Sequence, residues 1–171
     1  MKQQPLSIIE VLRYANHDFM NHLQVLNMNL ELGRTEESKG IIKEISESYR
    51  TFSDLNKLDL PKTAEWLHTA RWRFPSINIH LSCNIVDANE TQNDEEIVEY
   101  LEKTIIHVYD GLDAYTEQHL FIQIESNKEV FKLTFHLQGK WNTDAFKHEK
   151  LAKLKVQTYE ETNESWKYEL T

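Results

Sequence analysis

The chain has 171 residues, enough for one medium domain or two small ones, and its 40% hydrophobic and 11% aromatic residues predict a folded core. A formal net charge of −9, with no local cluster of lysine and arginine, argues against binding to nucleic acids or anionic membranes. The single cysteine, Cys83, excludes an internal disulfide and is expected to be a small core residue. With no signal-peptide core and no apolar run approaching about 18 residues, a cytoplasmic protein is expected.

The first predicted element is a long amphipathic helix that begins near Leu6 or Ser7, after Pro5, and ends near Gly33. Its apolar stripe consists of residues three or four apart: Ile8, Leu12, Ala15, Phe19, Leu23, Leu26 and Leu30. At about 100° per residue, His17 lies about 160° from the middle of this stripe, whereas His22 lies within about 60° of it. His17 is therefore predicted to be exposed, and His22 to be a packing or boundary residue.

The surroundings of His17 on the predicted helix are mostly polar. Its near neighbours on the helix surface are Arg13, Met20, Asn21 and Gln24, which together form a patch that a partner protein could reach. A lone exposed histidine is usually only a solvated side chain, but one displaced from the apolar stripe of a long helix makes phosphoryl transfer the first hypothesis for its function.

A second helix is predicted to start at Thr35 and to stop at Pro61. Residues of its less polar face repeat at helical spacing: Ser38, Ile41, Ile42, Ile45, Tyr49, Phe52 and Leu55. The short link from Gly33 to Thr35 requires an antiparallel hairpin. Because a free-standing pair cannot bury both apolar stripes well, residues 1–60 are predicted to form a dimeric four-helix bundle with a second copy.

Residues 61–171 show a mixture of helical and strand periods that predicts an α+β domain. The predicted elements are, in order, a helix over 62–75, a strand over 77–85, a helix capped by Asn93 and reaching about Tyr115, strands over 120–124 and 131–137, a helix over about 143–154, and a final hairpin over 156–161 and 165–170. This second domain would follow the helical one without any repeat or low-complexity segment.

The residue spacing gives little support to a nucleotide-binding site, a metal site or a catalytic triad. Four glycines in the whole chain cannot form a Gly-x-Gly-x-x-Gly turn or a P-loop. The five-residue spacing of His17 and His22 does not place both rings on one helix face, so a metal site is not expected. The remaining histidines of the second domain are scattered over predicted strands and helices, and no catalytic triad can be nominated from them.

Two stretches of the hairpin carry a family resemblance. The sequence His17-Asp18-Phe19-Met20-Asn21-His22-Leu23-Gln24, followed by Asn29-Leu30-Glu31-Leu32 and by a second helix ending Leu55-Asn56-Lys57-Leu58, resembles the sporulation initiation phosphotransferase B family of endospore-forming bacilli. The His-Asp-Phe-Met-Asn core is also similar to that of sensor histidine kinases of the citrate and dicarboxylate class.

The resemblance extends into the second domain and implies a fold like a degenerate kinase ATP domain. The stretches 106–112 and 135–141 fall where that family keeps relics of the kinase nucleotide site. A working kinase needs an Asn-rich helix for magnesium and Asp-x-Gly-x-Gly loops for phosphates. Here the two stretches offer Asp110 and one glycine each, so no nucleotide cofactor and no autophosphorylation are expected.

The resemblance implies a phosphorelay role for a homodimer. His17 would accept a phosphoryl group from the aspartyl phosphate of one response regulator and pass it to the aspartate of a second, transcription-factor response regulator. Mg²⁺ would come from the receiver domain of the regulator, because the chain is expected to hold no metal of its own. Asp18 could hydrogen-bond a ring nitrogen of His17, although an ordinary exposed carboxylate is an equal interpretation.

One residue departs from the family pattern. A member of that family has an arginine directly before the phosphorylated histidine, whereas this chain has Asn16 there and Arg13 one turn earlier. Arg13 is therefore the candidate for the positive charge near the phosphoryl group. Partner contacts are expected from Asn16, Met20, Asn21 and Gln24.

Two alternatives remain open at this stage. The chain could be a relative or fragment of a sensor kinase that autophosphorylates on His17, or a noncatalytic dimeric module that binds a partner helix.

Overall fold

The structure, a computed structural model, describes residues 5–89, 92–147 and 151–171. It confirms an α+β protein with N-terminal helices followed by a five-stranded mixed sheet. The chain divides into two compact units, of which the first ends at Phe52 and the second comprises Ser53–Thr171. No helix in the described ranges combines the length and apolar composition needed to cross a membrane.

The first unit is built on helices α1 (Ile8–Glu31) and α2 (Thr35–Leu55). Ser7 caps α1 through a capping box, in which Glu10 N–H donates to Ser7 Oγ at 3.4 Å and Ser7 N–H donates to the Glu10 carboxylate at 2.8 Å. Gly33 ends the helix with a positive φ of 71°, a conformation that glycine adopts without strain. The predicted start and end of this helix are confirmed.

The prediction that Pro61 terminates the second helix is wrong. Helix α2 ends at Leu55, a 3₁₀ turn covers Asn56–Leu58, and Asp59 takes a left-handed conformation with φ 54°. Pro61 instead opens helix α3 (Pro61–Arg73), because proline lacks the N–H that the first turn of a helix leaves unused.

The second unit contains the sheet and two of the helices. Its strands are β1 (Asn78–Ile85), β2 (His119–Ser126), β3 (Phe131–Gln138), β4 (Val156–Glu161) and β5 (Ser165–Leu170), and α4 (Asp94–Tyr109) connects β1 to β2. The strand order is β1-β2-β3-β5-β4, with β1 and β2 parallel and the other pairs antiparallel. The two predicted hairpins are therefore confirmed.

Alternation along β2, β3 and β5 buries one face of the sheet, where the side chains of Ile122, Phe135 and Tyr168 belong to the core of the unit. The buried Tyr168 hydroxyl is hydrogen-bonded to Thr104 of α4 at 2.9 Å, which ties this helix to the sheet. Arg73 of α3 forms an ion pair with Glu102 of α4, and Trp66 donates to the same carboxylate at 2.6 Å. The sheet thus has one packed face and one open face.

Two helical predictions in this unit are wrong. Helix α4 ends at Tyr109 rather than near Tyr115. Residues 143–147 and 151–154 form no helix, while His148, Glu149 and Lys150 of the same prediction lie outside the described residues. Tertiary contacts replace the local helical bonds here, because the Glu96 carboxylate accepts the N–H groups of Ala152, Lys153 and Leu154 at 3.0–3.1 Å.

Candidate functional site

His17 lies in the middle of α1, far from both helix ends. Its side chain is 70% exposed, so the ring projects into solvent as the helical spacing predicts. The Asn21 amide nitrogen lies 3.2 Å from His17 Nδ1, and Asp18 Oδ1 lies 3.6 Å from the same atom. Nε2 has no hydrogen-bond partner among the described residues, which leaves this nitrogen open to an incoming molecule.

The neighbours of Nδ1 control the tautomer of the ring. When Asn21 donates to Nδ1, the proton of a neutral imidazole lies on Nε2. When Nδ1 carries the proton, the Asp18 carboxylate is the acceptor within closest reach, and Nε2 then presents its lone pair to solvent. The contact that Nδ1 makes is therefore linked to whether Nε2 carries the proton or presents a lone pair.

Asp18 and His22 occupy a less exposed side of the same helix. The Asp18 side chain is 30% exposed, and His22 is half-buried with an Nδ1 atom that has no hydrogen-bond partner among the described residues. The two histidines of the helix thus differ in environment, because His17 is exposed and His22 is half-buried.

The other predicted site residues lie around His17 on the surface. Arg13, Asn16, Met20 and Gln24 are all exposed. Arg13 contributes, after hydrogen bonds from Ser7, to holding the pKa of the Glu10 carboxyl below its usual range. No hydrogen bond or ion pair of the described chain joins the Arg13 guanidinium to His17. The structure therefore gathers these residues on one surface without fixing Arg13 against the ring.

The apolar stripe of α1 is mostly exposed in the single chain. Its exposed members are Ile8, Leu12, Phe19, Leu23 and Leu30. The less exposed residues of α1, among them Val11, Asp18, His22 and the buried Asn29, are centred about 70° away around the helix. Exposed large apolar side chains repeated along a whole helix are typical of a surface that another chain covers.

The described ranges offer neither a cluster of metal-ligating side chains nor a thiol with a lowered pKa. They contain no group of three histidine, cysteine, aspartate or glutamate side chains that could hold a metal ion. Burial, followed by the nearby Asp54 carboxylate, raises the pKa of the Cys83 thiol, and this favours the unreactive protonated form.

Two histidines that look scattered in the sequence meet on the open face of the sheet. His80 Nε2 and His119 Nδ1 are 3.2 Å apart, and the two rings stack with centroids separated by 5.5 Å. A hydrogen bond between two ring nitrogens needs one proton, so protonation of both rings would break it.

The two stretches that resemble relics of a nucleotide site use several backbone N–H groups near their glycine turns for hydrogen bonds inside the domain. The donors bonded inside the domain are the N–H groups of Gly111, Asp113, Gly139, Lys140, Trp141 and Asn142. Phosphate cradles depend on such groups pointing freely at the ligand. These six N–H groups are therefore engaged within the fold and do not point freely at a ligand.

Both glycines of these stretches serve close packing instead. A Cβ on Gly139 would lie 1.8 Å from Gln118 Oε1, and a Cβ on Gly111 would lie 2.6 Å from the Asn142 carbonyl oxygen. Gln118 donates to the Thr116 carbonyl at 2.9 Å and accepts from Lys140 N–H at 2.9 Å, so its amide fills the turn. Sequence reasoning missed this glutamine, because a single Gln in a loop carries no local signal.

Family comparisons cover the whole chain. Residues 1–58 match the SpoOB-type sensor kinase alpha-helical domain, and residues 59–171 match the C-terminal domain of sporulation initiation phosphotransferase B. No curated protein matches the chain.

Solved structures give more distant likenesses. A bacterial phosphotransferase is 12% identical, with 100% of each chain covered and a TM-score of 0.40. The histidine kinase AdeS of Acinetobacter baumannii is 11% identical, with 90% of this chain and 95% of that chain covered and a TM-score of 0.40.

Proposed function

The chain belongs to the sporulation initiation phosphotransferase B family, and from that premise we propose that it is a phosphorelay phosphotransferase with His17 as its phosphoryl acceptor. It takes the phosphoryl group from the aspartyl phosphate of one response regulator and gives it to the aspartate of a second, transcription-factor regulator in sporulation initiation. The observation that carries the proposal is the exposed His17 ring, whose Nε2 faces solvent while Nδ1 is held by neighbours.

In the first transfer, the Nε2 lone pair of His17 attacks the phosphorus of the aspartyl phosphate. A nitrogen–phosphorus bond forms, the bond between phosphorus and the aspartyl oxygen breaks, and the regulator's carboxylate leaves with the electron pair. The second transfer reverses these bond changes on another aspartate, so no nucleotide is consumed. Nδ1 must carry the ring proton while Nε2 attacks, and Asp18, whose Oδ1 lies 3.6 Å from Nδ1, would stabilise that proton.

Arg13 is proposed to supply positive charge near the transferring group. It lies one turn before His17 on the same exposed face, and its side chain is long enough to swing toward a phosphoryl group on Nε2. Because it would act only when the regulator is docked, the lack of a resting contact with His17 does not conflict with this role.

Magnesium belongs to the partner in this proposal. Asp18 is the carboxylate that lies near the His17 ring. The described residues contain no group of three histidine, cysteine, aspartate or glutamate side chains that could hold a metal ion. The receiver domain would bring Mg²⁺ in its own acidic pocket and neutralise the phosphoryl oxygens during transfer.

The docking surface for the regulators is proposed to surround His17. Asn16, Met20 and Gln24 are exposed within two turns of the ring, and they combine an apolar contact with amide groups that can donate or accept. Asn21 belongs to this surface and also contacts Nδ1 directly.

The active form is proposed to be a homodimer. The apolar stripe of α1 is exposed in the single chain, and a pairing of two hairpins into a four-helix bundle would bury it. Such a bundle would leave His17, on the opposite side of α1 from the stripe, available to regulators.

The experiment is transfer of ³²P from a phosphorylated receiver domain to the purified chain. We expect label on the wild-type protein and none on His17→Gln, while the matched control His22→Gln keeps the acceptor and is labelled. Label that stays on the receiver would contradict the proposal and favour a noncatalytic binding module. A parallel incubation with ATP and Mg²⁺ should give no label, since self-labelling would instead identify a kinase.

A further inference from the structure

The second unit contains a cavity of about 160 Å³ that the phosphotransfer proposal does not use. It lies between the end of α4, the segment that follows β3, and the turn that joins β4 to β5. The lining residues that matter for its chemistry are His107, Trp141, Asp144, Glu161, Asn163 and Trp166.

Hydrogen bonds and ring packing hold the walls of this cavity in place. The backbone N–H of Trp141 donates to the Asn163 carbonyl at 2.9 Å, which joins two of the three wall segments. Trp166 is only 2% exposed, and its ring packs 5.1 Å from that of Phe146. Thr162 N–H donates to the Ser165 carbonyl at 2.9 Å within the β4–β5 turn. The cavity is therefore largely formed before any ligand arrives, which lowers the cost of binding.

Among aspartate, glutamate, lysine and arginine side chains, only acidic ones line the cavity in the described part of the chain. Asp144 and Glu161 contribute carboxylates, and no lysine or arginine of the described chain lines the cavity. Glu161 Oε1 accepts a hydrogen bond from Phe146 N–H at 3.1 Å, which holds the carboxylate near the cavity wall. Phosphate-bearing ligands are disfavoured by the same two carboxylates, whereas cations are favoured.

Aromatic walls and carboxylates together select a particular ligand class. The faces of tryptophan rings attract cations, and carboxylates accept the N–H groups of amines and guanidines. We propose that this cavity binds a small organic cation, a single guanidinium or ammonium group on a short apolar stem. Its volume fits that size, because a protein cavity of about 150 Å³ holds one benzene molecule.

A series of probes that share size and shape tests the role of charge. Benzamidinium, benzamide and benzoate would be titrated into the ¹⁵N-labelled full-length chain, with the tryptophan indole N–H signals as the readout. We expect benzamidinium to shift the signals of Trp141 and Trp166 with a dissociation constant of about 1 mM. Trp66 and Trp72, which do not line the cavity, provide reference signals that should stay in place. Benzamide should bind about tenfold more weakly, and benzoate should not bind.

Glu161→Gln tests the carboxylate itself while keeping an oxygen that can accept from Phe146 N–H. We expect it to weaken benzamidinium binding by at least about threefold. Glu164→Gln is the matched control, since it removes the same charge from the same turn at a residue outside the lining. Asp144→Asn provides a second independent variant with the same expected direction.

Two further probes distinguish the sources of such a cation. Agmatine represents a free small molecule, and the blocked peptide acetyl-Gly-Arg-Gly-amide represents an arginine side chain presented by a protein. Preference for agmatine would identify a metabolite site, and equal or better binding of the peptide would identify a site for a partner's side chain.

The proposal is overturned if benzamide matches benzamidinium, if no probe shifts Trp141 or Trp166, or if Glu164→Gln weakens binding as much as Glu161→Gln. These outcomes leave the role of His17 untouched, because the cavity and the phosphoacceptor belong to different units.

Discussion

At the scale of single residues, the surroundings of His17 distinguish it from an ordinary surface histidine. Helical arithmetic alone placed its ring in solvent, and the structure agrees with a 70% exposed side chain. The arithmetic could not reveal the hydrogen bond from Asn21 to Nδ1, because it depends on rotamers rather than on spacing. The sequence predicts Asn21 only as a partner contact, whereas its contact with Nδ1 also influences which nitrogen carries the proton.

Asp18→Asn tests whether the carboxylate near Nδ1 assists transfer. Asparagine keeps the shape but cannot stabilise positive charge on the ring, so we expect phosphoryl transfer to slow by about tenfold or more. ¹⁵N NMR of the His17 ring should show a smaller fraction of the Nδ1–H tautomer. Glu31→Gln, on the same helix but away from His17, should leave the transfer rate and the tautomer fraction unchanged. If Asp18→Asn transferred phosphate at the wild-type rate, Asp18 would be an ordinary surface carboxylate without a role in transfer.

Arg13→Ala tests the proposed positive charge. A charge-assisted contact to the transferring phosphoryl group predicts a loss of about tenfold in transfer rate, with partial recovery in Arg13→Lys. Stopped-flow or quench-flow labelling against a phosphorylated receiver measures the transfer rate, with Arg34→Ala, between α1 and α2, as the control. Rates indifferent to Arg13→Ala would make this arginine an ordinary surface residue.

At the scale of elements, prediction succeeds where local rules decide. Ser7 and Gly33 bound α1 by capping rules, and the strands of the final hairpin follow a period of two. Prediction fails over 143–147 and 151–154, where the helical spacing of the sequence does not produce a helix, and residues 152–154 form long-range hydrogen bonds to Glu96. Such contacts join residues more than fifty positions apart, and a single sequence carries no sign of them.

Glu96→Gln tests that tether. The hydrogen bond from Leu154 N–H, with those from Lys153 and Ala152, lowers the pKa of Glu96, so the ionised form is the one the fold favours. Its stabilising effect is present above the ordinary pKa of a glutamate and is lost as the pH falls through the lowered folded value. We expect amide exchange at residues 152–154 to accelerate by about tenfold in Glu96→Gln.

The control for this measurement is Glu95→Gln, which changes the neighbouring carboxylate in the same first turn of α4. Glu95 pairs with Lys62 rather than with residues 152–154, so protection there should not change. Equal protection in Glu96→Gln and the wild type would show that other contacts hold the segment.

At the scale of the whole molecule, the sequence gives a good description of the architecture and an incomplete one of its sites. Periodicity separates helical hairpin from sheet, and the exposed stripe of α1 follows from spacing. The cavity beside Trp166 is assembled from three segments distant in sequence, so only the folded chain reveals it.

Phe19→Asp tests the homodimer. We expect the wild-type chain to have twice its 20.3 kDa mass by analytical ultracentrifugation. A charge in the covered stripe should weaken association by at least about tenfold. Met28→Asp is matched in exposure, 52% against 51% for Phe19, but lies on the opposite side of α1, and should remain dimeric. A wild-type chain that sediments as a monomer at every concentration would contradict the proposed dimeric four-helix bundle.

The most direct measurement is identification of the phosphorylated atom after incubation with a phosphorylated receiver domain. We expect ³¹P–¹⁵N NMR, supported by mass spectrometry under non-acidic conditions, to show a phosphoramidate at Nε2 of His17. The bound phosphoryl group should then disappear when a second, unphosphorylated receiver is added. Two results would contradict the role of His17. One is a phosphoryl group on another residue of the chain. The other is no phosphoryl group on the chain, while the receiver loses its own at the rate measured without the chain.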